Sequence, residues 1–287
     1  MSDDEIQRAG RFHFEQHRNR FIAGRGLLRA VLARYLCAAP KQIKFAYGTN
    51  GKPCLAKSTG GDNLEFNLAH SEDVALLAVT RTFPVGIDVE RIRPMPDAAE
   101  LVARFFSPRE SAIFRGLPSE EQSSAFFSLW TRKEALLKAT GEGIGHLLNQ
   151  VEVSFLPGEP VRIIRMPEGF QRSLQHALQA EAAKNSPSLL RMGMACPSPL
   201  QKGRGPGRGV PLHVVHPTVP SITPPGPQDR TAPSLFLSAW KATAPWTLCN
   251  LAPASGFAAA LAVADPDPCV KTWQWSFEET GKRLTNT

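Results

Sequence analysis

Along residues 12–36 apolar side chains return at helical intervals, with Leu27, Leu28, Val31, Leu32 and Tyr35 on one stripe and Arg25, Arg29 and Arg34 left for other faces. The spacing predicts a basic amphipathic helix. Beyond it, GTNGKPCLA (48–56) is turn chemistry around Asn50-Gly51 and Pro53. Two apolar runs follow, LEFNLAH (64–70) and VALLAVT (74–80), separated by Ser71-Glu72-Asp73, and they predict a hairpin. A third run, VGIDVE (85–90), ends at the breaker-rich RIRPMP, so three adjacent strands in one antiparallel sheet are expected.

Helical signals then return. Ser107-Pro-Arg-Glu110 and Ser119-Glu-Glu-Gln122 both fit a capping box, in which an N-cap hydroxyl is answered by Glu or Gln three positions on. The second should open a long helix through AFFSLWTRKEALLKAT that stops at Gly141. VEVSFL (151–156) and VRIIRM (161–166) flank PGEP and predict a second hairpin. From 170 to 240, Pro, Gly and Ser crowd out apolar periodicity, which predicts a disordered insertion. Its SPLQKGRGPGRG resembles a translated intergenic repeat. Strand-like character resumes at WTLCNLAPASGFAAALAV (246–263).

A short internal echo relates RGLLRA (25–30) to EALLKA (134–139), and NLAHSEDVALLAV (67–79) to NLAPASGFAAALAV (250–263). It implies two similar halves, each one helix on a small sheet. The fold class expected is therefore α+β, a pair of pseudo-twofold α/β subdomains. The N-terminal half would be 1–95 and the C-terminal half 96–169 with 241–280, the 170–240 insertion lying between.

Composition narrows the function classes without choosing among them. The 287 residues, 42% hydrophobic, can bury a core without metals or disulfides to hold it. A net charge of +7 favours anionic partners such as nucleic acid, a phosphorylated cofactor or an acidic protein surface. The five cysteines are widely spaced with no C-x-x-C pair, as reduced thiols in a cytoplasm would be. Neither a signal pattern nor an apolar run of about 18 residues is present, so a cytoplasmic chain is expected.

On a strand, Asp88 and Glu90 share a face. Two adjacent carboxylates either face solvent or hold a cation, and oxygen-only ligands suit magnesium. Trp130, Glu134 and Lys138 recur every four residues and so share a helix stripe, where a plain Glu134–Lys138 surface pair is also possible. His70 ends an apolar strand, where it can meet a phosphate or simply be hydrogen-bonded. Arg25 and Arg29, with Arg8, Arg11, Arg18 and Arg20, can form a phosphate-binding surface or a solvated one. Trp273 and Trp275 alternate as strand residues and are expected in a core.

In order, GKPCLA, FNLAHSEDVALLAV, VGIDVERIRP, FSPRESAIF and FFSLWTRKEALLKATGEGI resemble the surfactin-type 4′-phosphopantetheinyl transferases over residues 8–166, resuming at 246–275. The resemblance implies magnesium held by Asp88, Glu90 and Glu134. Glu134 would also be the base and Lys138 the catalytic cation on the pyrophosphate. His70, Arg25, Lys52 and Pro53 would contact coenzyme A, the co-substrate, with Arg8 or Arg11 assisting. The partner implied is an apo acyl, peptidyl or aryl carrier protein, and a monomer is expected to suffice. Ala69 stands where the family often has Ser. Two rival readings are a basic nucleic-acid-binding protein, which no motif supports, and a binding-only relative disabled by the insertion.

Overall fold

A computed structural model describes residues 1–48, 50–59, 64–81, 83–141, 148–167, 212–218, 246–265, 268–275 and 284–286. The chain opens with two helices, α1 (Asp3–Ala9) and α2 (Glu15–Tyr35). The strands β1 (Phe45–Tyr47), β2 (Pro53–Leu55), β3 (Leu64–Ser71), β4 (Val74–Arg81) and β5 (Val85–Arg91) follow. Next come α3 (Ala98–Phe105), α4 (Pro108–Arg115) and α5 (Ser119–Thr140), then β6 (Glu152–Val153) and β7 (Ile163–Arg165). The remaining strands are β8 (Leu212–Thr218), β9 (Thr247–Leu251), β10 (Phe257–Val263), β11 (Cys269–Trp275) and β12 (Leu284–Asn286).

The expected α+β architecture, small antiparallel sheets covered by long helices, is the one found. In one unit α2 lays Leu28, Val31 and Leu32 on Phe66, Leu77 and Val79 of the β3–β4 hairpin. In the other, α5 packs Leu129, Leu136 and Ala139 with Ala260 and Ala262 of β10. A third cluster joins them, with Leu76 and Ala78 of β4 meeting Ile87 and Val89 of β5 and Leu261 of β10. Each helix of the sequence echo thus lies on its own hairpin.

Two local expectations change. The strand β5 does not extend the β3–β4 ladder; it pairs antiparallel with β10 from Phe257↔Arg91 to Val263↔Val85, in a sheet ordered β5-β10-β9. Only a distant segment supplies a backbone ladder here, so sequence adjacency misled. At α4 the Ser107–Glu110 box forms, Glu110 N donating to Ser107 Oγ at 3.2 Å and Ser107 N to Glu110 Oε2 at 3.0 Å. At α5 the second box does not: Pro118 is the N-cap, and Gln122 Nε2 donates to Leu117 O instead. Helix α5 ends as expected, at Gly141 in the left-handed conformation (φ 77°).

Most of 170–240 lies outside the described residues. Its described stretch, Leu212–Thr218, is the strand β8, parallel to β4 and antiparallel to β11, and so departs from the disorder expected there. The β-branched Val214-Val215 pair suits a strand, a local signal outweighed by the surrounding Pro and Gly. Cys54 and Cys249 are free thiols, whereas Cys37 is disulfide-bonded, against the reduced thiols expected. Among the described residues no helix is long and apolar enough to cross a membrane.

Candidate functional site

A glycine sets how closely helix and strand approach. A Cβ added at Gly86 of β5 would lie 2.0 Å from Ala135 O and 2.3 Å from Ala139 N, both backbone atoms of α5. Glycine is therefore the residue that lets α5 rest on β5. With small Ala135 and Ala139 at the contact, the next acidic residue on the strand meets the next cation on the helix: Lys138 Nζ lies 2.6 Å from Asp88 Oδ1. Gly86 was not singled out from sequence, although its place in VGIDVE, inside a strand, is the signal of close backbone approach.

Asp88 is 4% exposed and Glu134 2% exposed. Asp88 Oδ2 and Glu134 Oε1 are buried and have no hydrogen-bond partner among the described residues. Burial, with a smaller contribution from Glu90, pushes the Asp88 carboxyl up to about 6 against the pull of Lys138. Burial likewise raises Glu134 to about 7, with Asp88 and Glu90 adding repulsion and Lys138 opposing it. Glu90 is less enclosed; its Oε2 accepts from Ser71 Oγ at 3.0 Å and lies 3.9 Å from Arg93. Asp88 and Glu134 share the pull of one ammonium, Lys138, and Glu90 repels both.

Among the described residues no three His, Cys, Asp or Glu side chains form a ready metal cage. Two orphaned, buried carboxylate oxygens nevertheless fit a hard divalent cation. Magnesium typically takes one or two carboxylates and completes its shell with water and substrate phosphate. Lys138 turns to Asp88 and not to Glu134 as a surface pair would.

His70 is exposed at the end of β3. Partial burial of its ring, then the charges of Lys138 and Arg20, lower its pKa and favour neutral imidazole. Lys52 is drawn inward: Nζ donates to Val85 O and Ala139 O, both at 3.1 Å, and burial lowers its pKa. Two of its three hydrogens thus hold the start of β5 to the end of α5, a binding that the GKP turn did not disclose. Asn50 Nδ2 reinforces the clamp by donating to Gly141 O at 2.8 Å. Pro53 pairs with Tyr47 across β1–β2.

The arginines divide. Arg29 is buried and fully engaged, donating to Glu5, Ser2 Oγ, Pro40 O and Ile43 O, so it serves the fold. Arg25 donates to Tyr47 Oη at 3.2 Å and lies over the Phe21, Phe45 and Tyr47 rings, leaving Nη1 buried with no partner among the described residues. Arg8 and Arg11 line a cavity of about 550 Å³ with Asp4, Gln7, Phe12 and the same Tyr47. Arg18 pairs with Glu15, and Arg20 bridges to Glu72 and Asp73. Helix α1, unnoticed in the sequence, brings Arg8 and Arg11 there because its Glu5, 1% exposed, bonds Arg29 at 2.9 Å. Trp130 stacks on Phe126 in the core below. The side chains of Trp273 and Trp275 lie outside the described residues.

Two family profiles match the chain in succession. One, 4′-phosphopantetheinyl transferase, N-terminal, covers residues 1–82, and the other, the 4′-phosphopantetheinyl transferase superfamily, covers 84–188. The chain is 47% identical over 167 residues to the 4′-phosphopantetheinyl transferase HetI of Nostoc sp., spanning 58% of this chain and 70% of that one. Against the 4′-phosphopantetheinyl transferase psf-1 of Bacillus pumilus it is 38% identical, over 52% of this chain and 61% of the relative. The 4′-phosphopantetheinyl transferase Sfp of Bacillus subtilis is 29% identical, over 53% of this chain and 66% of that one.

Proposed function

The chain belongs to the 4′-phosphopantetheinyl transferase superfamily, and from that premise we propose that it moves 4′-phosphopantetheine from coenzyme A to a serine of an apo carrier protein. The serine oxygen attacks the β-phosphorus of coenzyme A. The bridging bond to the α-phosphate breaks, and adenosine 3′,5′-bisphosphate leaves. The acceptor is an acyl, peptidyl or aryl carrier protein.

One observation carries this reading: two buried, unpartnered carboxylate oxygens, Asp88 Oδ2 and Glu134 Oε1, beside a lysine. Left in that state they cost stability, and such strain is characteristic of a site awaiting charge. Asp88, Glu90 and Glu134 would hold a magnesium ion, which when bound supplies positive charge to the pyrophosphate oxygens. Lys138 donates to the same pyrophosphate and stabilises charge developing on the leaving oxygens. Glu134, buried beside Lys138 and Asp88, takes the serine proton directly or through water. His70 donates to a coenzyme A phosphate. Arg25, whose Nη1 has no partner, meets the nucleotide end with Arg8 and Arg11, while Lys52 offers its third hydrogen beside Pro53. The halves 1–95 and 96–169 with 241–280 would form the two sides of the cleft, in a monomer in the cytoplasm.

The test incubates the chain with magnesium chloride, coenzyme A and apo carrier proteins of the acyl, peptidyl and aryl classes, and reads the carrier's mass. Gain of one phosphopantetheine arm on a carrier serine is the expected result. No gain on any carrier class would sink the proposal.

A further inference from the structure

The seam between β3 and β5 is built unlike the other strand contacts. The ladder partner of β3 is β4, and that of β5 is β10. Across the seam, side chains replace carbonyls: Asn67 Oδ1 accepts from Ile87 N at 2.8 Å, and Ser71 Oγ accepts from Arg91 N at 3.0 Å. The step is four residues on β3 (67 to 71) and four on β5 (87 to 91), so the strands run side by side in register. Asp88 and Glu90 lie between the two clamps.

Ser71 does more than clamp. Because an amide N–H can only donate, the hydroxyl must receive Arg91 N on a lone pair, leaving its own hydrogen for Glu90 Oε2, 3.0 Å away. Glu90 needs such a tether. Its side chain is 29% exposed, against 5% for Asp88, and it is repelled by the other two carboxylates. Arg93, 55% exposed and 3.9 Å away, draws it toward solvent.

We propose that Ser71 is a positioning residue for Glu90, holding that carboxylate at the seam so that it can share a divalent cation with Asp88 and Glu134. The inference rests on the metal reading given under the proposed function. Hydrogen-bonded partners of metal-ligating carboxylates typically matter by 10–100-fold in metal affinity, on the order of what is expected here.

The full chain, stripped with chelator, is titrated with Mn²⁺ alone while free Mn²⁺ is followed by electron paramagnetic resonance. Ser71→Ala should weaken binding about tenfold. Ser71→Thr and Ser71→Val are both β-branched and equal in shape, and differ in the hydroxyl alone. Thr should bind near wild type and Val as weakly as Ala, while all melt cooperatively at similar temperatures in chelator. Equal affinities for Thr and Val, or an unaltered Ser71→Ala, would overturn the role of Ser71 with the metal site standing. A wild-type chain that binds no Mn²⁺ would instead overturn the metal reading and this role with it.

Discussion

Replacing Gly86 by alanine adds one methyl group where the strand has no room for it. The new Cβ would sit 2.0 Å from Ala135 O, 2.3 Å from Ala139 N and 2.9 Å from Ala139 Cα. Non-bonded atoms want about 3.5 Å, so the helix must retreat by about 1.5 Å, and no side chain can swing aside because all three obstacles are backbone. Overpacking of this kind costs about 1–3 kcal/mol. The functional cost is larger, because Glu134 and Lys138 ride on the displaced helix and Lys138 now reaches Asp88 at 2.6 Å. A misplacement of about 1 Å can cost on the order of 100-fold in rate. The assay is phosphopantetheine transfer read by carrier mass at saturating magnesium and coenzyme A, beside a thermal melt. Gly86→Ala should melt cooperatively at reduced temperature and transfer about 100-fold more slowly. A folded Gly86→Ala with wild-type turnover would refute the claim that this contact sets the site.

Glu134→Gln removes a buried charge that has an unpartnered oxygen. It should reduce transfer by about 100-fold or more while leaving the metal-free chain at least as thermally stable as wild type; a lower melting temperature in chelator would contradict the electrostatic account. The carboxyls of Asp88 and Glu134, raised from 3.8 to about 6 and from 4.5 to about 7, bind more protons folded than unfolded. Their contribution to metal-free stability is thus full below the unfolded values and lost as pH rises through about 6 and 7. Magnesium should therefore raise the melting temperature more above pH 7 than below pH 5, and an equal rise at both would refute the linkage. Lys133, fully buried, lies 2.5 Å from Glu110 Oε2 and 2.6 Å from Leu148 O. Lys133→Met should strand the Glu110 charge and cost about 3–5 kcal/mol in denaturant melts; a loss under about 1 kcal/mol would mean that the pair is not the anchor its burial implies.

What a sequence can place of a site is residue type and local period. Asp88 and Glu90 share a strand face, and Glu134 and Lys138 share a helix stripe; those spacings follow from backbone geometry alone. The helix α2, the β3–β4 hairpin, the long α5 with its Gly141 stop and the β6–β7 hairpin were legible for the same reason. Partners across the chain were not. Lys52 sits on the Asn50-Gly51 turn, and nothing local shows that its ammonium clamps two carbonyls brought together by β5 and α5. Arg29 reads as one more exposed cation, and is buried because Glu5 of α1 reaches it.

What the sequence by itself determined is the inventory: which carboxylates and cations exist, on which kind of element, and on which face. Only the tertiary structure decided how they meet. It put β10, from beyond residue 240, beside the strand carrying Asp88 and Glu90, and laid α5 against Gly86. It thereby took two carboxylates out of water, leaving one oxygen of each without a partner among the described residues. The physical reason is that burial and pairing depend on distance in space, which a one-dimensional period does not encode, whereas the orientation of a side chain on its own strand or helix does follow from that period.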